Sequence, residues 1–318
     1  MNKKILVWSC CVMTFFSACQ QAELENQKSD DWRMSIVASI GSPKDASNSR
    51  YAGDDPMQVE FETSDCIGVF VDNAPALKWT YGVSSWTSES LVYWPDKTED
   101  HTFRAFYPYA DASSTAEVPM PSLLNQTGTI ASISQCDFLV ANVTQSYGLD
   151  GVVNFQDEHS FAHVSTLLQF TFKGNGDLSS STINKIMIEG VNIVAPTTYS
   201  FDSKTVAVHP NDESDVLEAA LDREMGGQDQ SFYFIVNEKK DGTSPVKLTV
   251  EYTANGKKYV AQKSGFANNL FAGGMCQKYT VTVQNSSLII SGNEISSWGT
   301  GVPLDNVEIN GEETTASV

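Results

Sequence analysis

The chain has 318 residues and carries 39 Asp and Glu against 20 Lys and Arg, a formal charge of −19. So acidic a surface repels nucleic-acid phosphates and anionic headgroups and favours solubility outside the cell, which excludes nucleic acid as a partner. The six cysteines, three of them within the first 19 residues, are too few and too scattered for a disulfide framework or a zinc site.

Lys3 and Lys4 form a positive start, Ile5 to Phe16 an apolar run, and Ser17 and Ala18 supply small residues before Cys19. This is the pattern of a bacterial lipoprotein signal over residues 1–18. The run is too short to cross a bilayer core of roughly 30 Å as a helix. Cleavage before Cys19 removes two lysines and no carboxylate, and acyl chains on that cysteine hold the precursor at a membrane surface. Residues 19–33 are polar and read as a lipidated tether.

Beyond the tether the pattern is β almost throughout. Met34, Ile36, Ala38 and Ile40 alternate with Ser35, Val37 and Ser39 and predict a strand with one apolar face. Residues 41–56 are rich in turn formers, and Arg50, one of four arginines in the chain, sits among them. Ile67 to Val71 predicts a strand, as does Thr102 to Tyr107, which puts Phe103, Ala105 and Tyr107 on one face and ends at Pro108. Val246 to Tyr252 leads into Asn255-Gly256, the signature of a hairpin with a type I′ turn. Only Asp215 to Met225, DVLEAALDREM, has helical character. Two β-sandwich domains suit the length better than one sheet, 34–158 and 159–318, the latter with an extension over 299–318. A Cys66–Cys136 bridge is open at this point, the alternative being small apolar residues in the cores.

Several phrases then fall in order: DCIGVF from Asp65, LVYWP from Leu91, TFRAFYPY from Thr102, DFLVA from Asp137, FAH from Phe161 with Leu167 and Phe170, FAGGM from Phe271, YTVTV from Tyr279, and ISSW from Ile295. Their order and spacing resemble the fimbrillin family of Bacteroidales, the lipoprotein-derived subunits of type V pili. Cys66 departs from the polar or basic residue expected at that place. The resemblance implies an all-β fold of two tandem transthyretin-like β-sandwiches behind a lipoprotein signal peptide. It also implies a lipidated precursor at the outer membrane, removal of an N-terminal segment from stalk subunits by a trypsin-like protease, and anchor subunits that keep their lipid. Partners would be other fimbrial subunits and surface ligands.

The residues give that expectation a physical form. A cut between Arg50 and Tyr51 would remove the strand of Met34, Ile36, Ala38 and Ile40 and leave an open slot, whereas a cut between Arg33 and Met34 would free only the lipid. A strand from another subunit can fill such a slot. Val302, Leu304, Val307 and Ile309 are the candidate donor, although Pro303 interrupts them.

Catalytic patterns are missing: there is no GxSxG, P-loop, GxGxxG or CxxC, and His159 and His163 lack an HExxH frame. The expectation is therefore a non-enzyme with no cofactor and no metal. The alternative reading is a glycan-binding surface lipoprotein, in which Trp79, Tyr81 and Trp86 stack on sugar rings. Burial of Trp79 and Tyr81 would instead mark them as architecture.

Overall fold

The computed structural model describes residues 32–41, 60–209, 215–285 and 287–297. Cys19, Arg50 and Tyr51, and Val302, Leu304, Val307 and Ile309, lie outside them. The fold is all-β, with stacked sheets in a sandwich-like arrangement.

The first sheet has six strands: β2 (Cys66–Val71), β3 (Leu77–Tyr81), β4 (Trp86–Ser88), β5 (His101–Tyr107), β7 (Leu139–Gln145) and β9 (Ala162–His163), in the order β4-β3-β2-β5-β7-β9. All its pairings are antiparallel. Its inner face, with Ile67, Val69, Trp79, Phe103, Ala105 and Leu139, packs on a two-stranded ribbon of β1 (Ser35–Ala38) and β8 (Val152–Phe155). Its outer face, with Phe70, Phe106 and Phe138, packs on β6 (Val118–Pro119), β12 (Thr197–Ser200) and β13 (Thr205–Val208). Burial of both faces explains why β2 and β5 read as nearly continuous apolar runs rather than clean alternations.

Two four-stranded sheets enclose the second core. One orders β15 (Gln230–Val236), β10 (Thr166–Phe172), β18 (Met275–Gln284) and β19 (Ser287–Ser297); the other orders β14 (Asp215–Glu224), β11 (Ser181–Gly190), β16 (Lys247–Ala254) and β17 (Lys257–Ser264). Phe170, Phe234 and Val281 from one meet Ile186, Leu248 and Val250 from the other. A single turn of helix, α1 (Ile130–Ile133), is capped by Thr129, whose hydroxyl accepts from the Ser132 N–H at 3.3 Å. Asn255 and Gly256 join β16 to β17 with φ of 52° and 72°, the two positive angles of a type I′ turn.

Three features differ from the sequence reading or refine it. DVLEAALDREM is strand β14, not helix, because Leu217 and Ala219 alternate into the core opposite Ile188 and Ile186, and ladder pairing outweighs the helix propensity of Leu, Ala and Glu. Cys66, Cys136 and Cys276 are free thiols. Cys136 belongs to the second core, where burial and then the nearby Asp137 push its pKa up to about 11. Cys66 contacts Ser64 O and Thr80 Oγ1, each at 3.4 Å. Contacts also cross residue 158 in both directions: β9 extends the first sheet, Tyr199 and Phe201 cover its outer face, and Leu123 and Ile133 enter the second core.

Gly68 is fixed by its cross-strand neighbour. It lies opposite Phe106, and a Cβ on it would fall 2.3 Å from that ring. With Phe106 completely buried the ring has little room to move, so Gly68→Ala is expected to cost about 1–3 kcal/mol in urea unfolding. An unchanged midpoint would contradict this packing.

Candidate functional site

The site is the seat of β1. Met34, Ile36 and Ile40 are 2%, 4% and 7% exposed, whereas Ser35 and Val37 face outward, as the alternation requires. The buried trio packs in one cluster with Trp79, Trp86, Trp94, Val153 and Phe155. At roughly 1.5–3 kcal/mol for each large side chain, this burial stabilises the strand by on the order of 4–9 kcal/mol.

The backbone is held from two sides. On one, β1 runs parallel to β8, with the Ser35 N–H donating to Gly151 O at 3.2 Å and the Ser39 N–H to Phe155 O at 3.0 Å. Beyond β8, the Gly41 N–H donates to Phe161 O and the Phe161 N–H to Ser39 O, both at 2.9 Å. On the other side the Met34 N–H donates to Val92 O at 2.8 Å, and the Trp94 N–H to Trp32 O at 3.0 Å.

Residues 92–101 thus form a strap over the start of the strand. Trp94 is completely buried, and its indole N–H donates to Gly151 O at 2.7 Å. Gly151 has φ of 67°, and a Cβ there would lie 2.7 Å from the Tyr147 ring. Lys97 sets its ammonium 4.5 Å from the centroid of Tyr147 and 5.3 Å from that of Trp32. His101 ties the strap down: Nδ1 lies 2.7 Å from Asp72 Oδ2 and Nε2 3.2 Å from Asp96 Oδ2. Burial disfavours the charged ring, but the two carboxylates outweigh it and raise the His101 pKa. Backbone N–H groups of Glu99 and Thr98, then His101, hold Asp96 below the usual carboxylate range.

The residues singled out from sequence fall unevenly around this seat. Met34, Ile36 and Ile40 form its occupant, with Ala38 partly buried beside them. Arg33 is exposed and bridges to Tyr93, so the Arg33–Met34 bond lies in paired backbone, a poor protease substrate. Trp79 and Trp86 are 3% and 6% exposed, and Tyr81 is half-buried with its ring 5.0 Å from Trp86. The first two line the seat and present no open face for a sugar. His159 lies beside Glu158 at 3.5 Å, while His163 is buried against Asp137 at 2.9 Å. Sequence reading missed Trp32, Lys97, His101 and Gly151; a buried indole needs an acceptor, but nothing in the pattern says that it lies 57 residues away.

The architecture is that of a β-sandwich protein with a separately held first strand. A family model described as fimbrillin-like matches residues 49–298, and the chain belongs to that family. It is similar in fold to a proposed cell adhesion protein of Bacteroides uniformis ATCC 8492, at 17% identity and TM-score 0.57 over 84% of this chain and 99% of that one. Proposed cell adhesion proteins of Bacteroides ovatus ATCC 8483 and Bacteroides fragilis NCTC 9343 give 16% and 15% identity, TM-scores of 0.56 and 0.53, and coverage of 84% and 86% of this chain and 97% and 100% of theirs. No curated protein matched the sequence. Membership in this family associates the chain with other fimbrial subunits at the cell surface.

Because the folded pKa of His101 is raised, its contribution is complete below the ordinary histidine value of 6.5 and is lost as pH rises through the folded value. Thermal stability of the full chain should therefore decline more over that interval than stability of His101→Gln does. Parallel pH profiles for the two proteins would contradict the clasp.

Proposed function

We propose that the chain is a structural subunit of a fimbrium, in a stalk, tip or anchor position and serving adhesion. In this reading it is exported with a lipid on Cys19 and assembled by donor-strand exchange. The carrying observation is how β1 is connected. Gly41 leaves the seat hydrogen-bonded to Phe161, and the chain returns at Phe61 with its ring 5.2 Å from the Phe161 ring. The intervening segment contains Arg50, and its two described ends meet at one place, Phe161. Cleavage after Arg50 separates lipid, tether and β1 from the remaining chain.

Loss of β1 uncovers Val153, Phe155 and Trp86 and opens the hydrogen-bonding edge of β8. An extended segment with alternate apolar residues satisfies both demands, and Val302, Leu304, Val307 and Ile309 of another subunit supply one. A subunit that escapes the cut keeps its lipid and serves as an anchor.

Limiting trypsin should cut after Arg50 before Arg104 or Arg223, both of which lie in strands β5 and β14. The trimmed protein should form ladders that survive mild detergent, and a chain carrying both Lys44→Ala and Arg50→Ala should stay monomeric under the same treatment. A trimmed protein that remains a soluble monomer would contradict exchange at this seat.

A further inference from the structure

The outer face of the six-stranded sheet is covered over part of its area. Phe70, Phe106 and Phe138 lie beneath Tyr199 and Phe201. Farther along, the same face turns polar: Thr102 and Arg104 on β5 stand opposite Thr144 and Asn142 on β7. The β12–β13 hairpin reaches its turn here, at Phe201 to Lys204, and with residues 158–160 it walls a cleft of about 670 Å³ above that polar floor. The volume falls within the roughly 300–1,000 Å³ of small-molecule sites.

The cleft brings two cationic side chains together in an acidic chain. Several of its lysines pair with carboxylates, as in Lys78–Glu89, Lys173–Asp229 and Lys247–Glu189. Arg104 and Lys204 both line the cleft, and among the described residues neither has a carboxylate within ion-pair distance. Arg104 is half-buried and spends one N–H on Asp72 O at 3.0 Å, which fixes the guanidinium. The Asp72 carboxylate is engaged by His101 and by the Thr102 N–H at 2.9 Å. At the rim, Asp202 accepts from the Thr115 hydroxyl at 3.0 Å and Glu158 sits beside His159. Each rim carboxylate keeps acceptor capacity toward the cleft.

We infer that this cleft binds an acidic saccharide, a sugar ring carrying a carboxylate. Arg104 and Lys204 take the carboxylate, in the manner of charge-assisted pairs. Asn142, Thr144 and Ser160 exchange hydrogen bonds with ring hydroxyls, and Glu158 and Asp202 accept from others. The site lies on the opposite face of the sheet from β1, so it stands whether or not the chain polymerises.

The test is calorimetric titration of the full chain with methyl β-D-glucuronide, with methyl β-D-glucoside as its neutral counterpart and sodium sulfate as a bare anion, alongside amide shifts at Asn142 and Thr144. The glucuronide should bind on the order of tenfold or more tighter than the glucoside. Arg104→Gln and Lys204→Asn should each weaken it by a similar factor, Lys204→Asn without moving the unfolding temperature. Asn is chosen because Lys204 has φ of 54°, which Asn tolerates. If Arg104→Gln does not fold, Lys204→Asn, on an exposed turn, decides alone. Absence of glucuronide binding, equal affinity for the glucoside, binding unchanged in the variants, or sulfate reproducing the same shifts would overturn the assignment.

Discussion

The inner face of the six-stranded sheet carries Trp79 and Trp86, and the strap beside it carries Trp94; all three need cover from water. A ribbon of two short strands supplies much of that cover, and one of them, β1, comes from the far N-terminus of the described chain. The remaining features of this half follow from that arrangement. The strap over residues 92–101, the lysine over Tyr147, the acceptor at Gly151 and the histidine between two aspartates all act at the start of one strand. A strand held by so many contacts is followed by one segment whose two described ends meet at Phe161.

The two faces of the same sheet divide the work. The inner face is apolar along its length, so the strand that lies on it must bury its alternate side chains. The outer face is apolar under the β12–β13 hairpin and polar beyond it, where Arg104 and Lys204 stand without carboxylate partners among the described residues. Since β5 alternates strictly, Phe103 and Ala105 serve one face while Thr102, Arg104 and Phe106 serve the other. A single strand thereby contributes to both.

Local signals were legible in the sequence wherever the chemistry was local. Met34, Ile36 and Ile40 alternate and are buried; Asn255-Gly256 demands positive φ and makes the turn. Phe103, Ala105 and Tyr107 share a face as their spacing requires. What was not legible depends on distant partners. The stretch that became β14 looks helical by residue type and is made a strand by β11. Trp79 and Trp86 look like a sugar platform until the ribbon covers them, and the ribbon is a parallel pairing that no turn residue announces. The strap is invisible for the same reason: the Trp94 indole and its acceptor at Gly151 lie 57 residues apart in the sequence.

The central claim is that β1 is an insert in a preformed seat. It is tested most directly with a chain beginning at Tyr51 and a synthetic peptide of residues 32–41, mixed in solution and followed by thermal unfolding and by amide exchange at Val153 and Phe155. The account requires that the shortened chain remain folded, exchange rapidly along β8, and recover both protection and unfolding temperature when the peptide is added. A shortened chain that does not fold, or one whose β8 stays protected and ignores the peptide, would contradict it.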